Sequence, residues 1–383
     1  MALRVLIFGT YDRGVGRNAI LQEALRAAGI EVALCHAPLW RDTADKLAAA
    51  RRTGRLAGAA GRQAWAWVRL MAAHARAAPY DVLLVGATAH LDLPLAHRLA
   101  RRRRRPLVFD PLVSISETVR DRGLLRPGSR RLAALVRLER RLFALPDLTL
   151  ADTLAHAQAL AREVGLCLDR AAVVPAGTPS VYRRLARPYV PGPGLRVAYF
   201  GQYIPLHGIR TVLDAAARLR HRPDVRFDLV GIGQELAEAR AHARRLELVN
   251  VRFRPVWLGP EALAEGHIEP ADVCLGAFGA LPKAARVVPY KVYTALASGR
   301  AVLTADTPAV RELLRPGEEV WTVPPADPDA LADALARLAD DPALRARLAR
   351  AGQAAYDARF AAGPLGDLLC AALEPLAARQ GRQ

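Results

Sequence analysis

Short apolar runs alternate with amphipathic helical stretches along the first half of the chain. The runs predict strands at 3–9, 30–36, 81–86, 106–110, 148–151 and 171–175. Between several of them apolar residues recur at helical spacing, as in 17–28 and 130–144. Because strand–helix alternation is typical of a parallel sheet covered on both faces, this half predicts a doubly wound α/β domain.

The pattern restarts after a segment rich in proline and glycine, 186–194, which is typical of a domain linker. The second half predicts strands at 195–201, 225–231, 250–254, 271–276, 300–304 and 319–323, and helices at 210–220, 234–246 and within 327–383. We therefore predict two Rossmann-like doubly wound domains, 1–188 and 194–364, facing a central ligand cleft. A last helix, about 365–383, is expected to pack back on the first domain.

The positive charge of the chain is concentrated in its first half. Residues 1–190 contain 31 Lys and Arg against 15 Asp and Glu, a net charge of +16, whereas the remainder carries only +2 of the total of +18. We expect an anionic partner for this half, with anionic lipid headgroups ahead of nucleic acid, for which no binding motif occurs. A general bias toward arginine is the alternative, but such a bias would affect both halves.

Other features bear on localisation. The chain has no apolar run of roughly 18 residues, the length of a spanning helix, and Arg4–Gly9 reads as a strand rather than a signal peptide. The four cysteines have neither a metal-binding spacing nor a disulfide framework. We expect a cytoplasmic protein, peripheral on the inner face of the membrane at most. Tryptophans beside arginines suggest a membrane-interface face, with ordinary packing as the alternative: Trp40, Trp65 and Trp67 lie near Arg41, Arg62 and Arg69.

Two strand ends in the first half carry polar residues. The loop after the first strand contains Asp12, Arg13 and Gly14, of which the first two are predicted to bind an acceptor and Gly14 the donor. An ordinary strand–helix loop is the alternative. Asp110 and Ser114 follow the strand at 106–110, where they could orient a substrate hydroxyl, with Asp110 as a candidate catalytic residue. A simple turn cap before Pro111 is equally open.

Two glycine loops follow neighbouring strands of the second half, and a helix follows each loop. Backbone N–H groups in such loops suit an anion such as a diphosphate. The predicted donor-binding residues of these loops are Gly201, Gln202, His207, Gly208, Gly231 and Gly233. His207 is also a candidate catalytic residue, and Val256 lies in a segment, Phe253–Trp257, expected beside the nucleotide base.

Lysine is rare in this arginine-rich chain, and two of the three lysines lie within 282–300. The ammonium group is a compact charge suited to phosphate oxygens. We therefore predict that Lys283, Arg286 and Lys291 bind the diphosphate of a donor. A solvated loop is the alternative.

Most of the chain, and 195–360 above all, resembles family 4 of the retaining GT-B glycosyltransferases, glycosyl transferases group 1. The N-terminal Gly9–Arg13 resembles a bacterial subgroup of that family. Tyr199–Ala217 resembles the family's strand-glycine-helix entry, Lys291–Arg300 its Lys-hydrophobic-x-Glu-Ala helix, and Pro308–Leu314 its Pro-x-hydrophobic-x-Glu turn. The resemblance implies a nucleoside diphosphate-sugar donor and a sugar or lipid-linked acceptor. It also implies transfer with retention, without cofactor or obligatory metal. The basic first half suggests an acceptor near a membrane, in cell-surface polysaccharide or glycolipid synthesis.

The chain departs from the family pattern where the family carries charge. Gln202 and His207 replace its usual basic pair, and Arg286 and Thr294 replace two glutamates, the second of which contacts the donor ribose. The expectation is that Lys283, Arg286 and Lys291 supply the missing charge, with His207 assisting. Asp327-Pro328-Asp329 suits a helix cap better than a metal site. The alternatives are a GT-B epimerase or hydrolase of nucleotide-sugars and a non-catalytic, basic membrane-binding relic.

Overall fold

The structure is a computed structural model that describes residues 3–39 and 56–380. It divides the chain into a first unit, Met1–Pro175 with Ala362–Gln383, and a second unit, Ala176–Ala361. Two residues considered above, Trp40 and Arg41, lie outside the described residues.

The first unit contains a parallel six-stranded sheet of order β2-β1-β3-β4-β5-β6. Its strands are β1 (Arg4–Gly9), β2 (Glu31–His36), β3 (Val82–Val85), β4 (Leu107–Phe109), β5 (Leu148–Ala151) and β6 (Ala171–Val173). Its described helices are α1 (Gly16–Ala27), α2 (Leu56–Ala75), α3 (Leu93–Arg102), α4 (Ile115–Asp121), α5 (Arg130–Phe143) and α6 (Leu154–Val164), together with a final helix near the end of the chain.

The second unit repeats this plan with a parallel sheet of order β12-β11-β10-β7-β8-β9. Its strands are β7 (Leu195–Phe200), β8 (Val225–Val230), β9 (Val251–Arg254), β10 (Val273–Leu275), β11 (Ala301–Ala305) and β12 (Trp321–Val323). Its helices are α7 (Val181–Leu185), α8 (Ile209–Arg218), α9 (Leu236–Arg245), α10 (Pro260–Leu263), α11 (Tyr290–Ala297), α12 (Pro308–Leu313), α13 (Pro328–Asp340) and α14 (Pro342–Arg359). The final helix, α15 (Ala362–Gln380), belongs to the first unit.

The predicted α/β architecture is confirmed. All twelve predicted strands are present, with ends within two residues of those expected. The strands were readable because parallel strands buried on both faces appear as continuous apolar runs. In β3, for example, every residue from Val82 to Val85 is buried.

The boundary between the units differs from the one predicted at the linker. Residues from Ala176 onward already belong to the second unit, because Val181 and Tyr182 pack into its core. The linker itself is fixed to this unit by the buried Arg345, whose guanidinium donates to the Tyr189 hydroxyl at 3.0 Å and to the Gly192 carbonyl at 3.0 Å. The proline and glycine content marks a loop, but these contacts attach that loop to the second unit.

Helix α13 begins as the sequence indicates. The Asp327 carboxylate accepts a hydrogen bond from the Ala330 N–H at 2.9 Å, and Pro328 occupies the first turn. Asp329 pairs with Arg218 of α8. The carboxylates of Asp327 and Asp329 therefore both have partners within the protein, in agreement with the prediction that this segment caps a helix.

Helix α15 completes the core of the first unit. Leu365, Leu369 and Leu373 recur at helical spacing and are buried in that core, where α15 packs on α1. By length and composition alone, the helical stretch Pro342–Ala378 passes the criterion for a membrane-spanning segment. Within this stretch α14 ends at Arg359 and α15 starts at Ala362, and a buried leucine face on α15 is typical of a core helix.

We expect Leu369→Ala to release α15 from the first unit, since truncating a buried leucine costs about 2–5 kcal/mol. Hydrogen exchange followed by mass spectrometry would show faster exchange in peptides from α1 and α15, with the second unit unchanged. Leu368→Ala is the matched control, because the Leu368 side chain is exposed. Equal exchange in the two variants would contradict this packing.

Candidate functional site

The two glycine loops of the second unit interlock at the carboxyl ends of β7 and β8. Gly231 has a φ of +142°, and a Cβ there would lie 1.8 Å from the Gly201 carbonyl oxygen. A Cβ on Gly233 would lie 2.4 Å from the backbone of Tyr203. Only glycine allows the loops to approach this closely.

The close packing of the two loops uses backbone N–H groups that we predicted from the sequence to be open to an anion. The Gly201 N–H donates to the Val230 carbonyl at 3.1 Å, and the Gly231 N–H donates to the Arg254 carbonyl at 3.1 Å. The prediction that both loops present free N–H donors is therefore wrong for these two glycines. Their role is to bring the strand ends together.

The N-terminus of α8 lies after the first of these loops. Its cap residue is Gly208, with a φ of +63° and no side chain to bond the first turn. A Cβ at Gly208 would lie 2.6 Å from the Gly279 nitrogen, so the chain passes too close for another residue. An uncapped helix start of this kind offers N–H groups and the positive end of the helix dipole to an anion.

Lys291 contributes a buried cation at the same strand ends. It lies in the first turn of α11, and only 5% of it is exposed. The ammonium lies 3.8 Å from the centroid of the Tyr199 ring, and a Cβ built on Gly201 would be 3.8 Å from Nζ. Within the described part of the chain, Nζ has no hydrogen-bond partner. The cation–π contact alone holds this charge.

Burial opposes the charged forms of both partners in this contact. Desolvation lowers the pKa of Lys291 well below its ordinary value. Desolvation also raises the pKa of Tyr199 well above its ordinary value, so the ring remains a neutral phenol. A bound anion would reverse the shift at Lys291, because an adjacent negative charge favours the ammonium form.

His207 extends this cluster toward α8. Its Nδ1–H donates to the Gln202 carbonyl at 2.5 Å, and the Tyr199 hydroxyl donates to the same carbonyl at 2.7 Å. The carbonyl acceptor fixes the proton on Nδ1. Lys291, Tyr199 and His207 therefore form one continuous group around the Gly201–Gly208 loop. Lys291 and His207 are predicted positions, whereas Tyr199 is not.

The remaining predicted donor residues lie in different settings. Lys283 is buried in a short 3₁₀-helix, Pro282–Ala285, and the Arg286 Nε donates to the Pro282 carbonyl at 3.0 Å. Val256 is exposed beyond β9. The roles assigned to these residues stay predictions.

Thr294 is fully buried, and its hydroxyl already has two partners. The hydroxyl donates to the Tyr290 carbonyl at 3.2 Å and lies 3.0 Å from the Thr178 hydroxyl. This joins α11 to the segment before α7. With both partners in place, the Thr294 hydroxyl is not available for the ribose contact that the family resemblance implies for this position.

In the first unit, Asp110 forms a buried ion pair. Its carboxylate accepts a hydrogen bond from the Arg17 Nε at 2.8 Å, and both side chains are 2% exposed. Arg17 also donates to the Pro175 carbonyl at 2.5 Å. The structure therefore argues against Asp110 as a catalytic residue, because the carboxylate is committed to holding α1 against the ends of β4 and β6.

The predicted acceptor residues are also engaged locally. Ser114 caps α4 by accepting from the Glu117 N–H, and its hydroxyl donates to the buried Glu139 at 2.9 Å. This leaves the Ser114 hydroxyl no free proton for an acceptor. Asp12 accepts from the Gly14 N–H at 2.8 Å, which is the ordinary turn considered as the alternative. Arg13 is exposed, and its contact with an acceptor stays a prediction.

Sequence reasoning missed a buried aspartate–histidine pair at the end of β5. Asp152 follows that strand, and its carboxylate bonds to the Nδ1 of His156 on α6. His156 Nε2 is buried without a described partner. The spacing of four residues across a helix start was the available signal. Among the described residues, no cluster of His, Cys, Asp or Glu is arranged to hold a metal ion, and metal independence stays a prediction.

Comparison with protein families identifies the second unit. Residues 194–341 match the family described as glycosyl transferases group 1. The matched region makes up most of the second unit. It includes the glycine loops, Lys291 and α8, so the cluster described above lies inside the region that is similar to this family. Assignment to family 4 stays a prediction.

A curated relative and two solved structures extend this comparison. The chain is 34% identical over 173 residues to a phosphatidyl-myo-inositol mannosyltransferase of Mycobacterium tuberculosis, a match that covers 43% of each protein. It resembles the Anabaena HepE protein solved with UDP and glucose, with a TM-score of 0.69, 19% identity and coverage of 97% of this chain and 100% of that one. It also resembles sucrose-phosphate synthase of Thermosynechococcus elongatus, with a TM-score of 0.67, 19% identity and coverage of 100% and 98%. The predicted GT-B fold is confirmed.

We expect Lys291→Met to stabilise the ligand-free protein at neutral pH, because it removes a buried cation without an anionic partner. The pKa of Lys291 is lowered in the folded state, so the unfolded chain binds more protons between the two pKa values, and stability rises with pH through that window. The advantage of Lys291→Met should therefore shrink as the pH rises through that window and be small at pH 10, close to the ordinary lysine pKa. Urea unfolding midpoints of the variant and the wild type at pH 7 and pH 10 measure this difference in stability. A variant less stable than the wild type at pH 7 would contradict the assignment of Lys291 as a buried, unpartnered cation.

Proposed function

We propose that the protein transfers a sugar from a nucleoside diphosphate-sugar to an acceptor hydroxyl, with retention at the anomeric carbon. The observation that carries the proposal is the buried Lys291 ammonium, unpartnered among the described residues, inside the region that is similar to the glycosyl transferases group 1 family. A diphosphate would supply the anionic partner that this cation lacks among the described residues. The name of the mannosyltransferase relative and the UDP bound to the Anabaena protein support the same reading.

In this proposal the diphosphate binds between Lys291 and the start of α8. Lys291 regains a full charge as the phosphate approaches, and the first-turn N–H groups after Gly208 donate to the phosphate oxygens. His207, whose ring is oriented by the Gln202 carbonyl, assists from the same loop. Fixed positive groups of this kind stabilise the charge that develops on the leaving diphosphate.

Retention fits a front-face displacement in which the leaving phosphate oxygen takes the proton of the acceptor hydroxyl. The C–O bond to the diphosphate breaks, and the acceptor oxygen bonds to the same face of the anomeric carbon. This step requires no carboxylate base from the protein. It is compatible with an Asp110 that is committed to Arg17.

The first unit offers a place for an acceptor with an apolar part. A cavity of about 670 Å³ lies at the carboxyl ends of β1 and β3. Its lining combines apolar side chains with a few polar ones, including Trp67, Leu91, Leu142, Arg62 and Gln63. This volume falls in the range of small-molecule sites. A sugar linked to a lipid or polyprenyl group fits such a lining, which supports a role in glycolipid or cell-surface polysaccharide synthesis.

Calorimetric titration with UDP, GDP, ADP and TDP, with and without Mg²⁺, should show one diphosphate binding without metal. Lys291→Met should weaken that binding by about 1.5–3 kcal/mol, the range for hydrogen bonds to charged groups, which is roughly 10- to 150-fold. The matched control is the corresponding nucleoside, whose affinity should be unchanged because it carries no phosphate. Equal diphosphate affinity in the two proteins would remove Lys291 from the site.

Product analysis then separates transfer from its alternatives. NMR of the reaction with the bound donor should show a sugar joined to an added acceptor in the donor's anomeric configuration. Free sugar would indicate a hydrolase, an isomerised donor an epimerase, and an unchanged donor a non-catalytic relic. An inverted product would overturn retention alone.

We also propose that α2 docks on an anionic membrane surface. The two tryptophans of this helix have different roles: the Trp67 indole donates to buried Asp92 at 2.9 Å, whereas Trp65 is 65% exposed. Val68 and Met71 extend the exposed apolar stripe from Trp65, with Arg62 and Arg69 on the same helix and Arg76 directly after it. An apolar stripe beside arginines is typical of helices that lie in the interface of a bilayer.

Replacing the stripe by Trp65→Ser with Met71→Ser should abolish cosedimentation with vesicles of phosphatidylglycerol and phosphatidylcholine, because the inserted apolar area is lost. The control is Leu168→Ser with Val190→Ser, which removes two other exposed apolar side chains. Equal loss in both double variants, or no binding by the wild type, would reject α2 as the docking element.

A further inference from the structure

A groove lined by arginines lies on the second unit, away from the donor cluster. Its volume is about 600 Å³, and six arginines contribute to its lining, namely Arg196, Arg220, Arg222, Arg226, Arg252 and Arg254. Gly266 and His267, from a π-helical turn at Ala264–Ile268, also contribute. Such turns are rare and are found frequently at functional sites.

The groove exists because one face of the sheet is only half covered. The π-helical turn packs over the carboxyl half of that face, where Ala198, Phe200 and Val230 are buried in one core cluster with Ala264 and Ile268. Toward the amino ends, the side chains on the same face are exposed. The sheet therefore leaves a recess beside this turn.

Each of three adjacent strands places an arginine in or near this recess. All three begin with an apolar residue, an arginine and a second apolar residue: Leu195–Val197 in β7, Val225–Phe227 in β8 and Val251–Phe253 in β9. Because side chains alternate between faces, the apolar residues enter one core while the arginines share the other side. The repeat makes Arg196, Arg226 and Arg252 a three-strand cationic row.

The register brings two of these charges together. Arg196 is directly opposite Arg226 on the neighbouring strand, a spacing of about 4.8 Å between strands. Like charges directly opposite one another destabilise a sheet. Within residues 3–39 and 56–380, no carboxylate forms an ion pair with Arg196, Arg226 or Arg252. Among the described residues, no ion pair therefore relieves the repulsion between these side chains.

Two carboxylates on this face offset the charge only in part. Asp228 lies opposite Arg252 in the register, and its Oδ1 is 3.8 Å from the Arg254 Nε, beyond hydrogen-bond range. Asp272, on the other side of Arg196, accepts a hydrogen bond from the Arg196 backbone N–H at 2.8 Å. The Nε of Arg254 is buried without a hydrogen-bond partner among the described residues. The four arginines and two aspartates leave a net charge of +2 on this face.

We propose that this groove binds a soluble ligand carrying two or more phosphate groups, separate from the sugar donor. Guanidinium groups match phosphate oxygens in planar pairs, and a row of arginines across adjacent strands suits several phosphates at once. Arg196 precedes Gly201 by five residues of β7, roughly 16 Å along the strand, so a small ligand held by Arg196 and Arg226 does not reach the glycine loops. A recess fits a discrete ligand, whereas a flat bilayer would contact only its rim.

The test uses inorganic tripolyphosphate as the probe in full-length protein carrying Lys291→Met, which weakens the donor cluster. Calorimetry at low ionic strength should show binding that falls steeply with added salt. Arg196→Gln with Arg226→Gln should weaken this binding at least tenfold. The control is Arg347→Gln with Arg350→Gln, which removes the same charge from exposed positions of α14 in the same unit.

Several results would overturn the proposal. Absence of tripolyphosphate binding would do so, as would equal weakening by the two double variants, which would indicate a general charge effect. Binding to anionic vesicles that requires Arg196 and Arg226, without tripolyphosphate binding, would replace the soluble ligand with a membrane. Because the Lys291→Met background is used throughout, failure of the donor proposal leaves this experiment readable.

Discussion

The buried ammonium of Lys291, held against the Tyr199 ring, is the interaction on which the site of the second unit depends. A charge in this position opposes folding, since burial lowers its pKa and the ring replaces only part of its hydration. The surrounding fold must therefore supply the stability that the charge removes. It does so through two core clusters on opposite faces of the sheet. A cation kept under such conditions is ready for an anion and gains more from one than a solvated lysine would.

The glycine loops serve this cation indirectly. Their close approach, with Gly231 against the Gly201 carbonyl, fixes where β7 and β8 end and so where Tyr199 presents its ring. The loops are thus a rigid support, while the positive groups come from α11 and the start of α8. Gln202 and His207 stand where the resemblance implies a basic pair, and in this arrangement Lys291 and the start of α8 lie beside them.

The fold could be predicted closely from the sequence, and the site only in part. Strands such as β3 are buried on both faces, so their apolar runs are visible without any knowledge of partners. Lys291 was recognisable because a lysine stands out in an arginine-rich chain. Asp110, Ser114 and Thr294 were misleading for one physical reason: a sequence shows which polar groups exist but not which are already satisfied. The contact of Tyr199 with Lys291 could not be predicted, because an aromatic residue in a buried strand is typical of the hydrophobic core.

The return of α15 to the first unit has a consequence for how the chain is made. The leucines that complete the core against α1 lie beyond Ala361, so they leave the ribosome after the whole second unit has been synthesised. Domains generally fold as they emerge, from the N-terminus onward. Here the first unit, although translated first, must wait with its α1 surface open until the last helix arrives. The second unit, translated without interruption, has all of its parts before the first unit does.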